Sequence, residues 1–172
     1  GLSLLISGAG YLTGALSRSG TAAAFLMGGL VYTAGGVTWS LPLVAFFLTS
    51  SLLSRLSALE HASLPREKEI QPRNGYQVMA NGGPGLMLAI CWLVNPSQEW
   101  LWTAYLGTLA AVTADTWATE LGAFSPIPPR LITSGETVPR GSSGGITLLG
   151  TLGSLLGAGL IAALYPLRPN PP

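Results

Sequence analysis

Long apolar runs separated by short polar segments dominate the chain, and they predict membrane-spanning helices. No charged residue occurs in 19–54, 74–98 or 141–167. One bilayer crossing needs about 20 apolar residues, so each of these runs has room for one or two helices. The pattern predicts six spans with the approximate bounds 2–17, 20–35, 39–54, 77–94, 99–121 and 144–165.

Composition supports this interpretation and narrows the function. The chain is 48% hydrophobic and only 9% charged, whereas soluble domains carry about 25% charged residues. We therefore expect an all-α, polytopic integral membrane protein, with one transmembrane domain over 1–172 and inner loops at about 55–77 and 122–143. A net charge of +1 gives no basic surface for nucleic acid, so nucleic-acid binding is excluded.

The basic residues predict how the protein is oriented. If the six spans alternate across the membrane, only Arg168 falls on one side; the other side holds Arg18, Arg55, Arg66, Lys68, Arg73, Arg130 and Arg140. Loops rich in Lys and Arg stay inside, so these loops should face the cytoplasm or stroma, with the N-terminus outside. Four tryptophans at span ends on the outer side predict an aromatic belt at the headgroups, namely Trp39, Trp92, Trp100 and Trp102.

Glycine spacing predicts close helix packing. The chain has 23 glycines, and two pairs, Gly10 with Gly14 and Gly153 with Gly157, are four residues apart. Small residues at this spacing let helix backbones approach closely in lipid. The same faces are compatible with a homodimer.

Asp115 is the strongest chemical candidate because it follows an apolar stretch of the fifth span. Carboxylates at membrane depth usually face a cavity and serve a site; the alternative is a solvated carboxylate at the interface. Glu120 lies five residues later, which is about 140° around an ideal helix, so the spacing gives only weak support for a shared metal. Two carboxylates together with substrate phosphates would suit Mg²⁺.

Two glycine-rich segments are candidate anion sites. Asn81, Gly82 and Gly83 precede the apolar part of the fourth span, and 141–145 opens the sixth directly after Arg140. Exposed N–H groups at a helix start attract phosphate, although a simple flexible turn is the alternative. A single histidine, His61, argues against zinc. The remaining chemistry is metal-assisted handling of phosphates at the inner surface.

Five segments together resemble a known family: 50–54 (SSLLS), 77–83 (QVMANGG), 114–122 (ADTWATELG), 129–133 (PRLIT) and 138–145 (VPRGSSGG). They are similar to an integral membrane family long labelled as a domain of unknown function. That family includes the phytyl-phosphate kinase of plastids and cyanobacteria and an animal transmembrane protein of uncertain role. The resemblance implies a CTP-dependent kinase that converts phytyl phosphate to phytyl diphosphate for tocopherol synthesis, in a bacterial inner, thylakoid or plastid-type membrane.

The resemblance also implies roles for single residues. Asp115 and Glu120 would hold Mg²⁺, and Arg140 would act with them in catalysis. The CTP phosphates would meet Asn81, Gly82, Gly83, Arg130, Thr133, Ser142, Ser143, Gly144 and Gly145. The isoprenoid phosphate would meet Arg55, Glu60 and Arg73. The alternatives are a prenol kinase or lipid-phosphate cytidylyltransferase, and a small membrane transporter, which would need charge through the membrane thickness rather than at one surface.

Overall fold

The computed structural model describes residues 1–61 and 71–169, apart from the side chains at positions 60 and 61. The described residues form the helices α1 (Leu2–Leu12), α2 (Arg18–His61), α3 (Gly75–Val94), α4 (Trp100–Ala123) and α5 (Leu148–Ala162). Two short antiparallel strands, β1 (Arg130–Leu131) and β2 (Gly145–Ile146), lie between α4 and α5, and a 3₁₀ turn follows α5. The prediction of an all-α membrane fold is confirmed.

Helix α2 contains two of the predicted spans, joined at a break in the helix. Gly35 and Gly36 leave helical geometry there, and Gly36 has a φ of 62°, which glycine adopts at little cost. Arg73 bonds Ser17 through its backbone and Ser51 through its side chain. Ser17 and Ser51 thus lie close together although 34 residues separate them, and a straight helix of that length would span about 50 Å. The chain must therefore reverse its direction at the break. The halves 18–34 and 37–61 therefore return to the same end of the bundle.

The lengths of the helices differ from the prediction in places. Within 1–61 and 71–169, three segments are long and apolar enough to cross a membrane, namely Arg18–Leu59, Gly75–Val94 and Leu148–Leu167, so the six crossings stay a prediction. The predicted first span, 2–17, is too long because α1 ends at Leu12. Gly14, with a φ of 75°, lies in the following turn, so its expected role in helix packing is wrong.

The glycines of α5 do allow close packing, as their spacing predicts. A Cβ added at Gly153 would lie 2.8 Å from the Trp117 carbonyl oxygen, and one at Gly157 would lie 3.0 Å from the Thr113 carbonyl oxygen. Any residue larger than glycine at these two positions would therefore force α5 away from α4. This contact holds the last helix against the helix that carries Asp115.

Three of the four tryptophans at span ends lie in a buried aromatic core between the helices instead of in the predicted belt. Trp39, Trp92 and Trp102 are at most 5% exposed, and only Trp100 is exposed. The Trp39 ring lies 4.6 Å from that of Tyr105, whose hydroxyl donates to the Trp39 carbonyl at 2.6 Å. The belt prediction is wrong for three residues because their rings bury more apolar area against each other than at a headgroup surface.

Candidate functional site

Arg73 is fixed by backbone hydrogen bonds at the entrance to α3. Its N–H donates to the Ala15 carbonyl at 3.0 Å, and its carbonyl accepts from the Ser17 N–H at 3.1 Å. Gly20 permits this contact, because a Cβ there would come within 2.0 Å of the Arg73 carbonyl oxygen. Asn74 then caps α3 through a capping box with Gln77. The turn before α2 and the start of α3 thus form one rigid support.

The Arg73 side chain enters a small polar cluster between α2 and α4. Its guanidinium donates to the Ser51 and Ser54 hydroxyls at 3.4 Å each, and Ser54 donates to Glu120 Oε1 at 2.7 Å. Burial lowers the pKa of the Arg73 guanidinium, and the Glu120 carboxylate offsets part of that shift. An arginine stays protonated at neutral pH, so a half-buried cation with long hydrogen bonds is available to an anion.

Arg73 also lies at the edge of a cleft, which we call the apolar cleft. Helices α1, α2 and α3 form its walls, with Ile6, Ala24, Tyr32, Val44, Phe47 and Val78 among the lining residues. Its empty space is about 810 Å³, part of it open to the surroundings. Arg73 is the one charged residue among the described residues that line it.

The other predicted acceptor residues have different surroundings. Arg55 donates a hydrogen bond to the Thr13 carbonyl, which ties the second half of α2 to the turn after α1. The guanidinium therefore lies at the same end of the bundle as Arg73. The side chain of Glu60 lies outside the described part of the chain, as does that of His61.

Asp115 and Glu120 do not share one environment. The Asp115 side chain is exposed and has no hydrogen-bond or ion-pair partner among the described residues, whereas Glu120 is partly buried against Ser54. This agrees with the rotation of about 140° expected for five helical residues. The described residues contain no group of three or more His, Cys, Asp or Glu side chains suited to a metal. Of the two carboxylates, only the exposed Asp115 is free among the described residues for an Mg²⁺ that completes its shell with phosphates and water.

The expected helix entry at Asn81, Gly82 and Gly83 is wrong. These residues lie inside α3, which begins at Gly75, so their N–H groups belong to the helix. A Cβ at Gly82 would come within 2.3 Å of Met27 Sδ, which gives this glycine a packing role. Asn81 and Gly82 line the apolar cleft instead.

The second glycine-rich segment also differs from the prediction. Helix α5 begins at Leu148 and is capped by the Thr147 hydroxyl, which accepts from the Gly150 N–H at 3.0 Å. The segment 141–145 is a turn with Gly141 and Gly144 at positive φ, followed by β2. Within the described residues, the N–H groups of Ser143 and Gly144 make no hydrogen bond. The segment is thus an open turn and does not begin a helix.

Two arginines stabilise this loop. Arg140 donates to the carbonyls of Ala123, at 2.8 Å, and of Ser125, which covers the carboxyl end of α4 as a cation does well. Arg130 donates to the Gly135 carbonyl at 2.9 Å within its own turn. Thr133 is exposed nearby. Both arginines donate hydrogen bonds to backbone carbonyls. Each has N–H groups left for another acceptor, because a guanidinium has five N–H donors.

Sequence reasoning missed the hydroxyl groups on α2 as parts of the site. Ser51 and Ser54 connect Arg73 to Glu120, and the fully buried Ser50 hydroxyl has no hydrogen-bond partner among the described residues. Three serines within five positions of an apolar helix are a usable signal, because polar side chains in a span normally face the bundle interior.

Comparisons with known proteins agree with the helical membrane fold. The family described as "Integral membrane protein DUF92" matches residues 1–169. The chain belongs to this family. No solved structure matches it at a significant level.

Three relatives of this DUF92 chain illustrate its range. An uncharacterized membrane protein of Methanocaldococcus jannaschii is 36% identical over 85% of the chain and 60% of its own length. Protein PGR of Arabidopsis thaliana is 34% identical over 90% of the chain and 58% of its own length. Protein VTE6, chloroplastic, of Arabidopsis thaliana is 26% identical over 95% of the chain and 50% of its own length. The chain thus spans between 50% and 60% of the length of these relatives.

Proposed function

We propose that the chain transfers the terminal phosphoryl group of CTP to an isoprenoid monophosphate, with phytyl phosphate as the natural class of acceptor. The observation that carries the proposal is Arg73, a half-buried guanidinium at the edge of the apolar cleft and beside Glu120. A lipid phosphate needs both features, a cation for its headgroup and an apolar space for its tail. The resemblance of 114–122 and 138–145 to a family that includes phytyl-phosphate kinase supports the same choice of substrate.

The donor nucleotide would bind near the carboxyl end of α4. Asp115 is exposed and without a described partner, so it would hold Mg²⁺ directly, and Glu120, on another side of α4, would join it through water or phosphate oxygens. The ion would neutralise charge on the phosphates. The open turn at 142–145, with Arg130 and Thr133, would contact the CTP phosphates through N–H and hydroxyl donors. Arg140 would act as a positioning residue through its bonds to the end of α4. We place this surface on the cytoplasmic or stromal side, with the N-terminus outside.

The reaction needs little acid or base from the protein. An oxygen of the acceptor phosphate attacks the terminal phosphorus of CTP, and the bond from that phosphorus to the bridging oxygen breaks, releasing CDP. The attacking oxygen is already anionic near neutral pH, because the second pKa of a phosphate monoester is about 6. The protein's part is therefore to hold two anions in line and to offset their repulsion.

The proposal is tested with purified protein, CTP, Mg²⁺ and phytyl phosphate, by measuring CDP and phytyl diphosphate. Asp115→Asn should lower turnover by about 100-fold or more, the scale of losing a preorganised electrostatic group. Glu99→Gln is the matched control, because it neutralises a carboxylate at the opposite end that pairs with Arg168. Equal turnover in both variants would overturn the assignment of Asp115.

The products separate the competing functions. Pyrophosphate release in place of CDP would indicate a cytidylyltransferase, and phosphorylation of free phytol would indicate a prenol kinase. Flux of a solute through liposomes without nucleotide would indicate a transporter. Any of these outcomes, with no CDP formed from phytyl phosphate, would refute the proposal.

A further inference from the structure

The apolar cleft has the shape and polarity of a site for a single lipid chain. Its walls come from α1, both halves of α2, and α3, and they are mainly apolar. The lining residues include Leu16, just before α2, and Tyr32 in the first half of α2. The helical rise from Arg18 to Tyr32 is about 21 Å at 1.5 Å per residue. An extended chain of roughly 16 carbon atoms has about this length, because each C–C bond of about 1.5 Å advances the zigzag chain by about 1.3 Å.

Charge is confined to one end of the cleft. Arg73 is held beside Leu16 by paired backbone hydrogen bonds, whereas Tyr32 lies 16 residues further along, near the break in α2. A cation removed from water needs an anionic partner, and Glu120 contacts Arg73 only through Ser54. A phosphate on a chain that fills the cleft would supply that partner.

We infer that the apolar cleft binds the tail of an isoprenoid monophosphate, with the phosphate at Arg73, and that the depth of the cleft sets the longest tail accepted. This inference takes its choice of ligand from the proposed function but requires no nucleotide and no turnover. Ala24 lies about 9 Å from the start of α2 at Arg18, by helical rise, and its side chain lines the cleft. A large side chain there would close the deep part of the site.

The test measures direct binding of radiolabelled geranylgeranyl monophosphate and geranyl monophosphate to the purified chain without CTP. Ala24→Phe should weaken binding of the long tail by more than about 10-fold and leave the short tail within about 3-fold, since lost burial of apolar area scales with tail length. Ala22→Phe is the matched control, because Ala22 is exposed on the same helix and does not line the cleft. Equal binding of the long tail by the two variants would overturn the inference.

The headgroup is tested separately. Arg73→Gln should weaken binding of geranylgeranyl monophosphate by about 10- to 100-fold, the range for a hydrogen bond to a charged group. Binding of the free alcohol should not change, which also shows that the variant is folded. An equal loss for phosphate and alcohol would contradict the role of Arg73.

Lysophosphatidate, which has a straight chain and a similar headgroup, serves as competitor. Tighter binding of that lipid would overturn the choice of an isoprenoid. Normal tail selection without CDP formation would refute the proposed reaction while leaving this site intact.

Discussion

Ser54 on α2 donates a 2.7 Å hydrogen bond to Glu120 on α4, across 66 residues of sequence. The same hydroxyl accepts from Arg73 at 3.4 Å. One small side chain thus connects a cation at the apolar cleft to a carboxylate on the helix that carries Asp115. The site proposed for the acceptor and the site proposed for the metal meet at this hydroxyl.

Removing that hydroxyl should weaken both the fold and the site. Ser54→Ala removes the hydrogen-bond donor of the partly buried Glu120 carboxylate, so we expect a loss of about 1–3 kcal/mol in the free energy of unfolding and weaker binding of the acceptor phosphate. Both are measurable in detergent, by denaturant titration and by ligand binding. Thr33→Ala should change stability by only about 0.5 kcal/mol, because its exposed hydroxyl bonds only its own helix. Equal effects of the two variants would show that the Ser54 bond contributes nothing.

Glu120→Gln should separate metal binding from charge balance. If Glu120 holds Mg²⁺, turnover falls by at least about 10-fold. Binding of the acceptor phosphate should stay the same or tighten, because the negative charge that offsets Arg73 is gone. Glu136→Gln, an exposed change in the loop before β2, is the control. Unchanged turnover together with tighter phosphate binding would assign Glu120 to charge balance alone.

Much of the fold could be predicted from the sequence because apolar runs and glycine breaks are local signals. The spans at 20–35 and 39–54 correspond to the two halves of α2, and Gly153 with Gly157 marks the contact with α4. The start of α3 was also readable: Asn74 and Gln77 form a capping box, and this pattern sets the helix start before Asn81. The predicted start at 77 lies within two residues of the observed one, and only the interpretation of Asn81, Gly82 and Gly83 as a helix entry was wrong.

Other features depend on contacts that no local pattern encodes. A tryptophan at a span end can lie either in a belt at the headgroups or in a buried aromatic core. Which of the two it joins depends on the residues that pack around it, here those around Trp39. The approach of Arg73 to Glu120 requires the reversal at Gly36 and the packing of α2 on α4. The hydrogen bonds of Arg140 to the end of α4 also depend on how the loop folds back, so no local pattern predicts them.

Arg140 gives a prediction about loop order. Arg140→Gln removes charged donors from the carbonyls of Ala123 and Ser125, so amide exchange in the last turn of α4 should accelerate and KM for CTP should rise by about 10-fold. Arg130→Gln should leave exchange in α4 unchanged, because its bond is to Gly135. Normal exchange in the Arg140 variant would contradict the capping role. Normal KM would contradict its positioning role for the nucleotide.

Two glycines of α5 provide a matched test of the α4–α5 contact. Gly153→Ala puts a Cβ 2.8 Å from the Trp117 carbonyl oxygen, so the helices must separate, and we expect a loss of about 1–3 kcal/mol in stability. Gly159→Ala meets nothing within 4 Å and should gain up to about 1 kcal/mol from higher helix propensity. Unfolding in mixed detergent micelles measures both. If both variants are stabilised, α5 does not pack on α4 through Gly153, and the support for the helix that carries Asp115 lies elsewhere.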